Sequence, residues 1–323
     1  MQRRSLLLAT PALALAPALS FGATYPTKPI NWIVPFPPGG ITDTTSRQLA
    51  KRVSELLGQP IVVENRPGAG GSLGTESVMR AANDGYTVLY GTQGTMAANL
   101  ALYKGLKYDP LKDFVPVQAL FASPTVLVVP ASKPYNSVAE LVRFAKENPG
   151  KMNYGSAGPG TATHLTGELF QSETGTQMLH VPYKGSTPAL QDLLGGRLDL
   201  MFDYTAIVGP HIQQGKLKAL AVMSKDRVDM LKSVPTIVEA GVPGAISTAW
   251  SGIMMPAGTP PDVVAVFADA VRTALMEPAI SGPFVAAGSL PMPEVRHAAF
   301  RDFILAEQKK WAAVVKKSGA TLG

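Results

Sequence analysis

The sequence predicts an α/β protein of two doubly wound lobes facing each other across a cleft, and three observations carry that prediction. Short β-rich apolar runs alternate with amphipathic stretches along the chain, the pattern of parallel sheets covered by helices. Gly-rich turns recur where a strand pattern ends and a helix pattern begins, in both halves of the chain. The 323 residues, 46% of them apolar, exceed the usual size of one hydrophobic core and suffice for two.

Taken in order, residues 1–23 read as a secretory signal: Arg3 and Arg4 give a positive start, 6–19 is an apolar run too short to span a membrane, and Ser20, Gly22 and Ala23 offer cleavage points. Gln2-Arg3-Arg4-Ser5-Leu6-Leu7 also suits a twin-arginine route, and both export routes stay open. Strands are expected over 30–34, 61–64 and 87–90, with helices over 44–57, 72–82 and 94–102, which makes a βαβαβ unit. Extended runs at 114–121 and 126–129 follow, and Ser123-Pro124 between them marks the first crossing into a second lobe. That lobe repeats the alternation, with helices over 137–146, 161–172, 187–194 and 207–213 between strands over 151–154, 178–181, 198–202 and 217–223. A strand over 250–255 and a helix over 260–276 return the chain to the first lobe. The last helix, 293–316, places Phe300, Phe303, Ile304, Trp311, Val314 and Val315 on one stripe, which is core packing. The lobes are therefore 24–123 with 224–323, and 124–223.

Composition removes whole classes of activity. With no cysteine there is no disulfide, thiol nucleophile or thiolate metal site. The four histidines, His164, His180, His211 and His297, lack metal-binding spacing, so neither a metal nor another cofactor is expected. The net charge of +6 falls to +4 without Arg3 and Arg4, and its positive residues are scattered, so no nucleic-acid partner is expected.

The turns carry the chemistry. Residues 35–43 (Pro-Phe-Pro-Pro-Gly-Gly-Ile-Thr-Asp) follow a strand and open a helix, where free N–H groups and the dipole attract an anion. Prolines fix the loop and Gly39 and Gly40 let backbone approach a ligand closely. An ordinary Pro/Gly turn capped by Thr42 or Asp43 explains the same residues equally well. Residues 65–72, 91–95, 154–161 and 183–187 share the composition, and none completes a P-loop or GxGxxG pattern. Several such turns from two lobes point to a clamshell closing on a small anion. A second reading makes Ser156 a nucleophile with His164 or His180 as base. Tyr154 stands where the first glycine of GxSxG should be, which argues against it.

The runs 34–43, 63–71, 84–87, 151–161 and 180–185, with Pro235-Thr236 and Glu239-Ala240-Gly241, closely resemble the Bug (TctC-type) solute-binding proteins of tripartite tricarboxylate transporters. The resemblance covers the whole chain after the signal. It implies a type II-like periplasmic binding protein fold with two crossover strands, acting as a monomer that is not an enzyme. It also implies a small organic acid or amino acid held between the lobes and delivery to transporter membrane subunits; presentation to a sensory receptor shares the same features. By that resemblance Phe36, Pro38, Gly39, Gly40, Asp43, Thr92 and Gln93 form one wall, and Ser156, Thr161 and Asp203 the other. Three alternatives stay open: Asp203 as a helix cap, Asp43 as a dipole or capping residue, and Phe36 as packing under its loop. Tyr204 replaces the family's common Asn after Asp203, and Gln93 and Met96 stand where Ser and His are commoner; these two are the candidates for tuning specificity. Arg66 is expected to pair with Glu64, Lys184 to be a solvated loop charge, His180 to be structural, and Trp250 to be interlobe core.

Overall fold

The computed structural model describes residues 25–318; the signal proposed over 1–23 lies outside them. Strands β1 (Ile30–Val34), β2 (Ile61–Asn65) and β3 (Thr87–Thr92) pair in parallel around β1. Their links are α1 (Ile41–Leu57), closed by Gly58 in the left-handed conformation, and α2 (Ser72–Met79). After β3 comes a π-helical turn, Gly94–Ala98, and the short α3 (Asn99–Leu102), where one helix was expected.

The two extended runs expected around Ser123-Pro124 are one strand. β4 (Phe114–Pro130) runs for 17 residues without a break. The reason is burial on both faces: Val126 and Val128 enter one core, Leu127 and Val129 the opposite one, so the run is continuously apolar. The second half then lays down α4 (Val138–Glu147), β5 (Asn153–Ser156), α5 (Ala162–Thr174), β6 (Leu179–Pro182), α6 (Ser186–Leu194), β7 (Leu200–Tyr204), α7 (Thr205–Gln213) and β8 (Leu217–Val222). The chain returns through β9 (Thr248–Pro256), α8 (Pro261–Met276), α9 (Pro278–Ala286), β10 (Leu290–Pro291) and α10 (His297–Ser318). Helix α9 and strand β10 escape sequence reading, since Pro283 interrupts the first and only two residues make the second.

The sheets are not wholly parallel. β9 pairs antiparallel with both β3 and β4, and β4 pairs antiparallel with β7 and β8, while β5 pairs in parallel with β6 and β7. β4 meets β9 up to Pro124 and β7 from Thr125, so one strand serves both sheets. Each sheet has a core on either face. The α10 stripe is buried as expected, with Phe300, Ile304 and Trp311 inaccessible to solvent, and Leu165 of α5 joins that core from the second half.

Candidate binding site between the lobes

A cleft enclosing about 970 Å³, with the open solvent at its mouth included, lies where the strand ends of the two sheets face each other. The N-termini of α1, α5, α6 and α7 all reach it, through Gly40 to Thr42, Thr161 to Thr163, Gly185 to Thr187, and Tyr204. None of these four N-cap side chains bonds its own first turn, which leaves first-turn N–H groups to a bound anion, although the Thr161 and Tyr204 N–H groups themselves are taken by Gly158 O and Asp203. Each such terminus contributes about 0.3–1 kcal/mol toward an anion when exposed and up to ~2 when partly buried.

Of the residues expected at the site, Phe36, Pro38, Gly40, Thr92, Gln93 and Thr161 line this cavity. Gly39, Asp43, Ser156 and Asp203 do not, and each has a local reason. The Asp43 carboxylate turns back on its own loop, accepting from Gly39 N (3.0 Å), Arg47 Nε (3.0 Å) and Asn65 Nδ2 (3.0 Å), while Asn65 Nδ2 also donates to Phe36 O (3.0 Å). Burial works against its charge, yet the bonds from Arg47, Gly39 and Asn65 hold its carboxyl below the usual value. Asp43 thus fixes the loop that Phe36 and Pro38 present. Gly39, at φ +85°, supplies the left-handed turn residue and the N–H that Asp43 takes.

Ser156 is fully buried. Its Oγ accepts from Gly158 N (3.1 Å) and meets His180 Nε2 at 2.6 Å, beneath the cavity floor. His180 stacks on His164 with ring centroids 4.0 Å apart, and His164 Nδ1 accepts from Gly160 N (3.2 Å). The Ser–His pair therefore shapes the loop before α5, and a nucleophile without solvent access has no substrate to attack. Burial pushes His180 down to about 4, and burial with the neighbouring ring pushes His164 down to about 3, so both are neutral at pH 7. With folded values below the unfolded one near 6.5, the unfolded chain binds more protons and stability falls as pH drops from about 6.5 toward 4. His180→Gln is expected to flatten that part of the stability-against-pH curve in urea titrations; an unchanged slope would place the titration elsewhere.

Asp203 is also fully buried, with Oδ1 accepting from Ser186 Oγ (3.0 Å) and Tyr204 N (2.8 Å) and Oδ2 left without a partner. It sits behind Ser186 and Tyr204, which take its expected place at the cavity. Burial raises it to about 6.

The cavity also gathers residues that sequence reading missed: Tyr90, Phe121, Phe284, Ser251 and Tyr204. Tyr204 had a signal, since it ends a strand and opens a helix like the other turns. Phe121 and Phe284, whose rings lie 4.6 Å apart, carry none, because residues distant in sequence make that wall. Trp250 packs edge-on against Phe300 and Phe303 as core, and it lines the cavity as well. Lys184 is exposed at the rim rather than remote from it, and Arg66 pairs with Glu64 (2.7 Å) as expected. Among the described residues no cluster of potential metal ligands occurs, and no helix is long and apolar enough to cross a membrane.

Residues 45–320 match the model of the family described as tripartite tricarboxylate transporter family receptor, TctC. Protein BugT of Bordetella pertussis is 39% identical over 300 residues, covering 93% of this chain and 92% of BugT. Among solved structures, R. palustris Rpa4515 with adipate superposes at TM-score 0.86 with 36% identity, covering 91% of this chain and 98% of that one. MatC (Rpa3494) from Rhodopseudomonas palustris with bound malate also gives 0.86, with 34% identity over 90% of this chain and all of that one. Two lobes of α/β architecture, a cleft fed by helix N-termini and these matches agree, and the chain belongs to the Bug/TctC family of periplasmic solute-binding proteins, which are not enzymes.

Proposed function

We propose that this protein is an exported periplasmic receptor that closes its two lobes on a small organic acid and delivers it to the membrane subunits of a tripartite tricarboxylate-type transporter. The observation that carries this reading is the convergence of four helix N-termini on one cavity with no acidic residue among the described residues that line it. The adipate and malate bound by two relatives support a carboxylate as the guest. Phe36, Pro38, Gly40, Thr92, Gln93 and Thr161 contact the ligand in this reading, while Asp43 and Ser156 position loops and Asp203 positions Ser186. Micromolar affinity requires about 8 kcal/mol net, which a few such termini and charge-assisted hydrogen bonds of about 1.5–3 kcal/mol each supply after ordering costs.

The test is a thermal-shift screen of the mature protein, acting as a monomer and stripped of ligand by unfolding and refolding, against organic acids, amino acids and neutral sugars. An acid at 100 times its Kd is expected to add about 2.7 kcal/mol, a shift of several degrees. A shift with neutral compounds alone would sink the carboxylate reading. Uptake of the identified acid in a deletion strain tests delivery; unimpaired uptake would count against it.

A further inference from the structure

The cavity that the receptor reading assigns to a carboxylate has an unusual lining for a polyacid. Six rings face it from both lobes, Phe36, Tyr90, Phe121, Tyr204, Trp250 and Phe284. Among the described lining residues Lys184 is the single charged one, and it is exposed at the rim beside the N-terminus of α6. A carboxylate therefore finds its cation and a helix terminus at the mouth. Away from those helix termini a second carboxylate would lie against rings, whose apolar surface disfavours it. An ammonium group fares no better, because no acidic residue among those described lines the cavity and Asp203 is screened by Ser186 and Tyr204.

One lining group is left incomplete. Gln93, at the end of β3, is 1% exposed, and neither its Oε1 nor its Nε2 has a hydrogen-bond partner. Its neighbours Thr92 and Thr95 satisfy each other, Thr92 N donating to Thr95 Oγ1 at 3.0 Å, so the local turn makes no use of the amide. A buried amide without partners costs stability, so a ligand group that pairs with it recovers that cost.

We infer that the ligand is a monocarboxylate with a flat apolar body, an aromatic acid in the first instance, bearing a neutral hydroxyl, carbonyl or amide that pairs with Gln93. This rests on the receptor reading above. The rings take the body out of water, Lys184 and the helix termini hold the carboxylate near the mouth, and the Gln93 amide offers two N–H donors and a carbonyl acceptor to the substituent.

Isothermal titration of the refolded mature protein with the three hydroxybenzoate isomers, benzoate, adipate and hydroxybenzyl alcohol tests it. At least one hydroxybenzoate is expected to bind about tenfold more tightly than benzoate, the effect of one neutral hydrogen bond, and more tightly than adipate. Gln93→Leu is expected to abolish the preference over benzoate and to raise the melting temperature of the ligand-free protein, since a buried unpaired amide is removed. A purely structural Gln93 would instead weaken all acids alike and lower that temperature. Failure of every hydroxybenzoate, or adipate binding as tightly as the best of them, overturns the inference; binding of adipate then leaves the receptor reading standing. Binding of the alcohol and of no acid overturns both.

Discussion

Gly94→Ala is expected to weaken ligand binding by about 100-fold while leaving the ligand-free protein folded. Helix propensity alone predicts the opposite sign, since alanine in a helical turn is favoured over glycine by roughly 1 kcal/mol. What decides is the neighbour across the cleft: a Cβ on Gly94 would collide with the carbonyl oxygen of Gly160, a backbone atom of the facing lobe that cannot rotate away. Gly70 meets the Pro159 carbonyl in the same manner. These glycines let the two backbones touch, and a methyl group at Gly94 acts as a wedge. If the closed form falls to about 1% of the population, apparent affinity falls by the same factor. Titration of the variant with the best acid from the screen, together with solution scattering for the mean shape, checks this. Unchanged affinity would mean that the contact plays no part in closure.

Asp203→Asn is the second large effect, and it depends on pH. The folded value near 6 lies above the unfolded 3.8, so the stability that Asp203 contributes is present below about pH 3.8 and is lost as pH rises through 6. A shift of about two units corresponds to roughly 3 kcal/mol between those limits. Asparagine keeps an oxygen for Ser186 Oγ and Tyr204 N and carries no charge, so any fixed cost of its amide cancels when two pH values are compared. Relative to the parent, the variant is expected to gain on the order of 3 kcal/mol between pH 4 and pH 8 in urea titrations. A difference independent of pH would mean that Asp203 is not carrying a buried charge.

How much of this could be read from residues alone follows from where the information lies. Strand β1 and its loop were legible because one local pattern, an apolar run into Pro-Phe-Pro-Pro-Gly-Gly, fixes both the strand end and the helix start. The loops before α5 and α6 were legible for the same reason. Asp43, Ser156 and Asp203 sat at the right ends of the right strands, but a side chain's direction depends on its partners: Arg47 with Asn65, His180, and Ser186 with Tyr204. Those partners come from other elements, so no local spacing announces them. The wall made by Phe121 and Phe284 was hidden for the stronger reason that residues 163 positions apart form it. Ser123-Pro124 looked like a break because proline cannot donate in a ladder; in β4 it falls where the strand changes partners, and the missing donor goes unnoticed.

The strand threaded through both sheets also dictates an order of assembly. Most of the second lobe, from β4 through β8, is contiguous, so its contacts close short loops. The first lobe is completed only when β9 inserts beside β3, pairing Tyr90 with Ile253, and when α10 lands on the turn after β3 and on α5. High sequence separation slows that step. Refolding should therefore run in two phases, the middle of the chain first and its two ends together later. During synthesis, which proceeds from the N-terminus, β1 to β3 wait for the last residues to emerge. A chain cut short before β9 lacks Ala249, Trp250, Ser251, Phe284 and Ser289 of the cavity wall, so its binding site is incomplete.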